Sequence, residues 1–215
     1  MIESTQNNRR DQRREAILRV AREVFFEEGY SAASMSMIAA RLGGSKGTLY
    51  NYFKNKEELF AAHIEQQCGM FTEATFATLL ADDQPVDVVL TRLGESYLSH
   101  VFADWAVQNF RLIITEAKRA PELAQIFYRA GPAVGHERLT AYLERARDRG
   151  LINARDCRRA AAQFIALCRG EFHFKLMLNL TESLTPDQIR AEVAGAVAMF
   201  MTAYGVDATP DRASQ

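Results

Sequence analysis

Cysteine is scarce in this chain of 215 residues: Cys68, Cys157 and Cys168 make an odd set with no Cys-x-x-Cys pair. That argues against a disulfide framework and a zinc ribbon. Cys157 and Cys168 share one predicted helix, where eleven residues at about 1.5 Å each hold them roughly 16 Å apart, beyond disulfide reach. All three read as small buried apolar residues. Long apolar runs are missing as well. No stretch approaches the roughly 18 residues that cross a bilayer, and the N-terminus has no apolar signal-peptide centre, so a cytoplasmic protein with no membrane partner is expected. The histidines, His63, His100, His136 and His173, are scattered. With no His-x-x-x-His, no carboxylate pair at ligand spacing and no nucleophile elbow, neither a catalytic set nor a metal site is expected, and no cofactor. Net charge of one sign is lacking too, at -1, but its distribution is uneven. Residues 1–56 hold ten Lys/Arg against six Asp/Glu, and residues 57–215 hold sixteen against twenty-one. The basic charge lies at the front, although Arg9, Arg10, Arg13 and Arg14 also suit a solvated helix face.

What is present is one helix after another. The composition, 48% hydrophobic and 25% charged, suits a soluble globular chain with a sizeable core. Ile17, Leu18, Ala21, Val24 and Phe25 recur at helical spacing, and Gly29 follows as a C-terminal cap. Ser34 caps a second helix bearing Met35, Ile38, Ala39 and Leu42, which Gly43 and Gly44 end. Ser45 caps a third, from Lys46 to about Phe53, and Asn55 opens a fourth with Glu58 in the capping-box place. Pro85 precedes a helix through Val101. Another spans Trp105 to Lys118, with Phe110, Ile113 and Ile114 predicted inward. Pro121 lies near the first turn of a short helix that Gly131 and Pro132 end, and one from about Ala133 carries Val134, Leu139, Tyr142, Leu143 and Ala146 on one side. Asp156 caps a helix running through Phe164, Cys168, Phe172 and Met177. Thr185-Pro186-Asp187-Gln188 opens the last helix with cap, first-turn proline and capping-box glutamine in order. These two final helices carry more apolar surface than one small bundle needs, with Ala191, Ala194, Gly195 and Ala198 allowing close approach. A twofold dimer through a four-helix bundle is therefore expected. Residues 1–8 and 207–215 are polar and expected to fray.

Two short helices joined by a Gly-containing turn, 36–42 and 45–53, have the dimensions of a helix-turn-helix. The second helix of such a unit enters the major groove of double-stranded DNA and turns its N-terminal residues to base edges. Here Gly47 allows close backbone approach, Lys46 can donate to guanine or phosphate, Thr48 can meet a thymine methyl or a phosphate, and Asn51 can pair with adenine. Leu49 and Phe53 point the other way, into the core. Tyr50 and Tyr52 flank the reading face, and Lys56 adds a charge beside free amides for another phosphate.

Residues 17–60, "ILRVAREVFFEEGYSAASMSMIAARLGGSKGTLYNYFKNKEELF", resemble the DNA-binding domain of TetR/AcrR-type transcriptional regulators. The resemblance rests on G-Y after helix one, I-A-x-x-L-G in helix two, S-K-G-T-L-Y-x-Y-F in helix three and K-x-K-E-x-L-F after it. It implies groove contacts by Lys46, Gly47, Thr48 and Asn51, backbone contacts by Tyr50, Tyr52 and Lys56, and a phosphate contact by Ser36. Met37 departs from the family's acidic residue and removes a capping-box partner of Ser34. Gly44 replaces the usual valine, which predicts a looser recognition helix. Farther on, "FRLIITEAKRAPELAQIFYRAGP" and "LTAYLERARDRGLI" are similar to an AefR-like branch. The resemblance implies an all-α chain: a three-helix helix-turn-helix domain over 1–56, then a helical ligand-binding and dimerisation domain over 57–215. It also implies an effector bound between the middle helices that swings helix four and resets the spacing of the recognition helices.

Trp105, Phe110, Phe127, Phe172, His173 and Met177 are the candidates for an apolar effector pocket with a polar group or two, although aromatic stripes also simply fill cores. The expected function is a homodimeric repressor of a palindromic operator, released by a small apolar or amphipathic molecule. A metal-responsive regulator around Cys168, Glu171 and His173, and a helical module binding an acidic protein, are the alternatives. Glu171 and His173 are two apart and so face different ways on a helix.

Overall fold

The stripe Ile17, Leu18, Ala21, Val24 and Phe25 is buried along α1 (Ile2–Glu28), which Gly29 ends at φ +77, a conformation glycine adopts without strain. The computed structural model describes residues 2–77 and 84–206. The expected fraying at residues 207–215 and at Met1 lies outside them. Residues 2–8, expected to fray, instead continue α1.

After α1 come α2 (Met35–Arg41), α3 (Lys46–Tyr50), α4 (Lys56–Ala77), α5 (Val86–Val101), α6 (Asp104–Glu116), α7 (Pro121–Ala130), α8 (Pro132–Asp148), α9 (Cys157–Met177) and α10 (Pro186–Tyr204). The architecture is all-α. Among the described residues the only strand-like feature is an isolated antiparallel bridge between Ile152 and Gly205, beside which the Asn153 amide donates to the Tyr204 carbonyl at 2.7 Å.

Local signals set most boundaries. The Met37 amide donates to Ser34 Oγ at 3.2 Å, the Thr48 amide to Ser45 Oγ at 3.2 Å, and the Arg159 amide to Asp156 Oδ1 at 2.9 Å. At α10 the capping box closes in both directions, Gln188 N to Thr185 Oγ1 at 3.3 Å and Thr185 N to Gln188 Oε1 at 2.9 Å. Asn55 Oδ1 accepts from the Glu58 amide at 2.8 Å, while the Glu58 carboxylate reaches one residue past the cap, to the Lys54 amide at 2.7 Å. Each such cap stabilises its helix by about 1 kcal/mol.

The chain falls into two compact units. The first holds Met1–Met70 and Gln108–Pro132, and the second Phe71–Val107 and Ala133–Gln215. This division differs from a cut after residue 56. Leu59, Phe60, Ala62 and Ile64 of α4, Ile113 of α6 and Leu123 of α7 bury in one core with Ile17, Phe25, Ile38 and Leu49. The second core gathers Leu90, Leu93 and Leu98 of α5, Leu139 and Leu143 of α8, Phe164 and Cys168 of α9, and Val193, Val197 and Phe200 of α10. Gly94 is buried there because a Cβ would stand 2.7 Å from Val193 Cγ1.

Two predictions need correction. Ile113 is 3% exposed, but Ile114 is 54% exposed. Neighbours on a helix point about 100° apart, so the face that buries Ile113 turns Ile114 outward. The predicted continuous helix through Phe172 is broken at Gly170, whose φ of 47 and ψ of -149 lie in a region essentially confined to glycine.

Candidate nucleic-acid interface

The corner is built from α2 and α3. Gly43 turns the chain at φ +64, and Ser45 starts α3 with its hydroxyl accepting from the Thr48 amide. Gly44 has another use. A Cβ there would come 3.0 Å from Nη2 of Arg13, so the space a valine would fill receives the guanidinium that α1 sends across.

α3 is shorter than predicted, ending at Tyr50, although the Phe53 amide still donates to the Leu49 carbonyl at 3.1 Å and keeps the chain coiled. Leu49 and Phe53 are 1% and 2% exposed. Burying two such side chains contributes several kcal/mol and fixes the rotation of the helix. Lys46, Gly47, Tyr50 and Asn51 lie on the exposed side, as does Ser36 of α2, while Thr48 and Tyr52 are half-buried. The Thr48 hydroxyl pairs with Ser45 Oγ at 3.0 Å, and Tyr52 packs on the core. Arg14 of α1 lies with its guanidinium carbon 5.5 Å from the Phe53 ring centre.

Lys56 departs from its expected role. Its ammonium turns back to donate to the carbonyls of Tyr30 at 2.8 Å and Ala33 at 3.1 Å, and it sits 4.3 Å from the Tyr30 ring centre. It clamps the turn between α1 and α2 rather than offering its charge outward. Two further links in the same unit have no sequence signal. Glu116, at the end of α6, accepts from the Ser31 hydroxyl. His63 of α4 meets Asn109 of α6 at 3.3 Å, and burial depresses the His63 imidazole to about 4, the Asn109 hydrogen bond opposing and Arg22 adding to the fall.

The six ligand candidates are divided between the two units. Phe110 and Phe127 pair in the first unit, ring centres 5.6 Å apart. Trp105, Phe172, His173 and Met177 belong to the second, all half-buried. There Trp105 meets His100 edge-on at 4.7 Å, and His173 stacks with Phe102 at 6.3 Å. Phe71, Tyr97, His100 and Arg169 of this unit carried no signal in the sequence. Among the described residues no group of three or more His, Cys, Asp or Glu is arranged to hold a metal ion, and no helix is long and apolar enough to cross a membrane.

A corner of two short helices, one pinned by Leu49 and Phe53 with its polar side free, within an all-helical chain, defines a helix-turn-helix transcriptional regulator. Residues 17–63 match the family of bacterial regulatory proteins, tetR family, and residues 88–206 match the AefR-like transcriptional repressor C-terminal domain. The chain belongs to the TetR family, whose members are DNA-binding transcriptional regulators and not enzymes. It is similar to the transcriptional regulator BetI of Rhizobium meliloti, 27% identical over 188 residues covering 85% of this chain and 84% of BetI. It is similar to the transcriptional activator FasR of Mycolicibacterium smegmatis at 47% identity over 57 residues, which span only 26% of each protein. Among solved structures, the flavonoid-responsive regulator FrrA superposes with a TM-score of 0.75 at 33% identity, covering 92% of this chain and 100% of that one.

Proposed function

We propose that the chain is a homodimeric repressor that binds a palindromic operator and is released by a small apolar or amphipathic effector in the cytoplasm. The observation that carries this reading is the two-sidedness of α3, with Leu49 and Phe53 locked in the core while Lys46, Gly47, Tyr50 and Asn51 stay exposed. In this reading Lys46 donates to guanine or phosphate and Asn51 pairs with adenine, while Gly47 lets the backbone approach. The Thr48 hydroxyl is engaged with Ser45, so its methyl is the group left for a thymine. Tyr50, Tyr52 and Ser36 bring hydroxyls to phosphates. Residues 1–56 thus carry the reading surface, and residues 57–215 the effector and dimer surfaces.

Pairing is supported by the apolar surface of α9 and α10. Phe174 is 66% exposed, Leu178 54% and Met199 62%, and Ala191, Ala194, Gly195 and Ala198 are exposed on α10. A twofold bundle would cover these residues and set two recognition helices one DNA turn apart, roughly 34–36 Å. Repression is favoured over activation because the matched C-terminal family is one of repressors. Selection of bound fragments from random duplex DNA should enrich a palindrome, and failure to enrich one refutes the reading. Lys46→Ala should weaken operator binding by about 1–3 kcal/mol while sedimentation still shows a dimer.

A further inference from the structure

Five half-buried side chains from four helices of the second unit form a continuous array. Phe71 of α4 stacks on His100 of α5 at 3.9 Å with the planes 17° apart, and Trp105 of α6 meets the edge of His100 at 4.7 Å. Phe71 also lies 6.4 Å from Tyr97, one turn before His100 on α5. Arg169 of α9 closes the array, its Nε donating to Tyr97 Oη at 2.6 Å and its guanidinium carbon 5.7 Å from the Tyr97 ring centre. Partial exposure leaves each ring some surface for a guest.

The guanidinium is the telling part. A cation that has lost part of its water normally gains a carboxylate in return. Among the described residues Arg169 forms no ion pair, and Tyr97 takes only one of its five N–H groups. The outer fork keeps the geometry that grips a carboxylate through two parallel hydrogen bonds. The ionisable rings beside it add no second charge at neutral pH. Burial depresses His100 to about 4, burial and then the Arg169 charge lower His173, and burial raises the Tyr97 hydroxyl. Immediately after Arg169 the helix breaks at Gly170, where a Cβ would stand 2.8 Å from Glu192 Oε2. Backbone held in so restricted a region concentrates at ligand clamps and switches.

We propose that Phe71, Tyr97, His100, Trp105 and Arg169 form a binding site for an amphipathic organic acid, its aromatic body among the rings and its carboxylate on the Arg169 fork. As a binding site this stands alone; as the effector site it rests on the regulator reading above.

The test uses the full chain, with 4-phenylbutyrate set against its uncharged analogue 4-phenylbutyramide in calorimetry and in the emission of Trp105, the sole tryptophan. The acid should bind about ten- to hundredfold tighter than the amide, the range expected for a charge-assisted hydrogen bond, and should shift the Trp105 emission. Arg169→Gln should erase the preference and Arg169→Lys should keep part of it. Equal affinities, no binding by either compound, an unmoved Trp105 signal or a preference that survives Arg169→Gln would each overturn the proposal. If Arg169→Gln does not fold, the wild-type acid and amide comparison decides with the Trp105 signal. Acid that binds here without changing affinity for a selected operator would sink the effector role alone. A palindromic operator found for a chain with no acid preference would leave the regulator reading standing and end this one.

Discussion

Replacing Lys56 by methionine removes an ammonium and keeps most of its apolar stem. The two carbonyls at 2.8 and 3.1 Å, Tyr30 and Ala33, then lose their donor, and the Tyr30 ring loses the cation 4.3 Å from its centre. A hydrogen bond to a charged group contributes about 1.5–3 kcal/mol net when buried. At this half-buried site water recovers part of that, so about 1 kcal/mol for each is the fitting figure. The ring contact adds about 0.5–1 kcal/mol. The sum, about 2.5–3 kcal/mol, should appear as a lower midpoint of denaturant unfolding with an unchanged slope. Lys56→Arg should recover part of it. Operator binding measured against salt gives the opposing readout, because a residue that neutralises one phosphate contributes about 0.9 to the slope of log affinity against log salt. Stability within about 0.5 kcal/mol of wild type, together with a salt slope reduced by that amount, would show Lys56 working on DNA and refute the clamp.

Leu49→Ala leaves a cavity beneath α3 and should cost about 2–5 kcal/mol, read by thermal unfolding, with operator affinity falling because the helix loses its fixed rotation. Gly170→Ala meets both a positive φ and a contact at 2.8 Å with Glu192, so it should destabilise by about 1–3 kcal/mol. Adding Glu192→Ala should return only the part due to the contact. His63 is held neutral in the fold, at about 4 against an ordinary 6.5, so below 6.5 the unfolded chain binds a proton that the folded chain refuses. Stability should therefore be full above pH 6.5 and fall toward pH 4 by up to about 1.4 kcal/mol per pH unit. A pH series of unfolding midpoints checks this, with His63→Gln removing its share of the fall while His100 and His173, which burial also lowers, keep theirs.

What the sequence made readable was local. Ser34, Ser45, Asn55, Asp156 and the Thr185–Gln188 box each act within three or four residues, so their roles follow from spacing alone. The burial of Leu49 and Phe53 was readable for the same reason, since four residues on a coiled chain return to one face. The clamp made by Lys56 was not legible because its partners, Tyr30 and Ala33, lie 26 and 23 residues away, and no periodicity links an ammonium to distant carbonyls. The break at Gly170 was hidden because an isolated glycine in an apolar helix pattern is tolerated more often than it breaks the chain. The ring array was hidden more deeply. Tyr97 and Arg169 are 72 residues apart, and each looks like an ordinary surface residue on its own helix.

The grouping of α6 and α7 with the helix-turn-helix has a consequence for how the reading helix can move. The position of α3 is set by Leu49, which shares its core with Phe60 of α4, Ile113 of α6 and Leu123 of α7. Shifting α4 along α6 must stretch the buried His63–Asn109 pair, and shifting α6 alone must pull Glu116 from Ser31. His63, Asn109 and Glu116 are buried, so positions that pull them from their partners are costly and the arrangement favours discrete states over continuous drift. Glu116→Gln keeps the shape of the side chain while weakening its hold on the Ser31 hydroxyl, because an amide oxygen accepts less strongly than a carboxylate. If that link holds the recognition helix in its present setting, operator affinity should change severalfold in this variant while the α5, α9 and α10 core keeps its hydrogen-exchange protection. Exchange that rises equally in both cores would show that Glu116 supports the whole fold rather than the setting of α3.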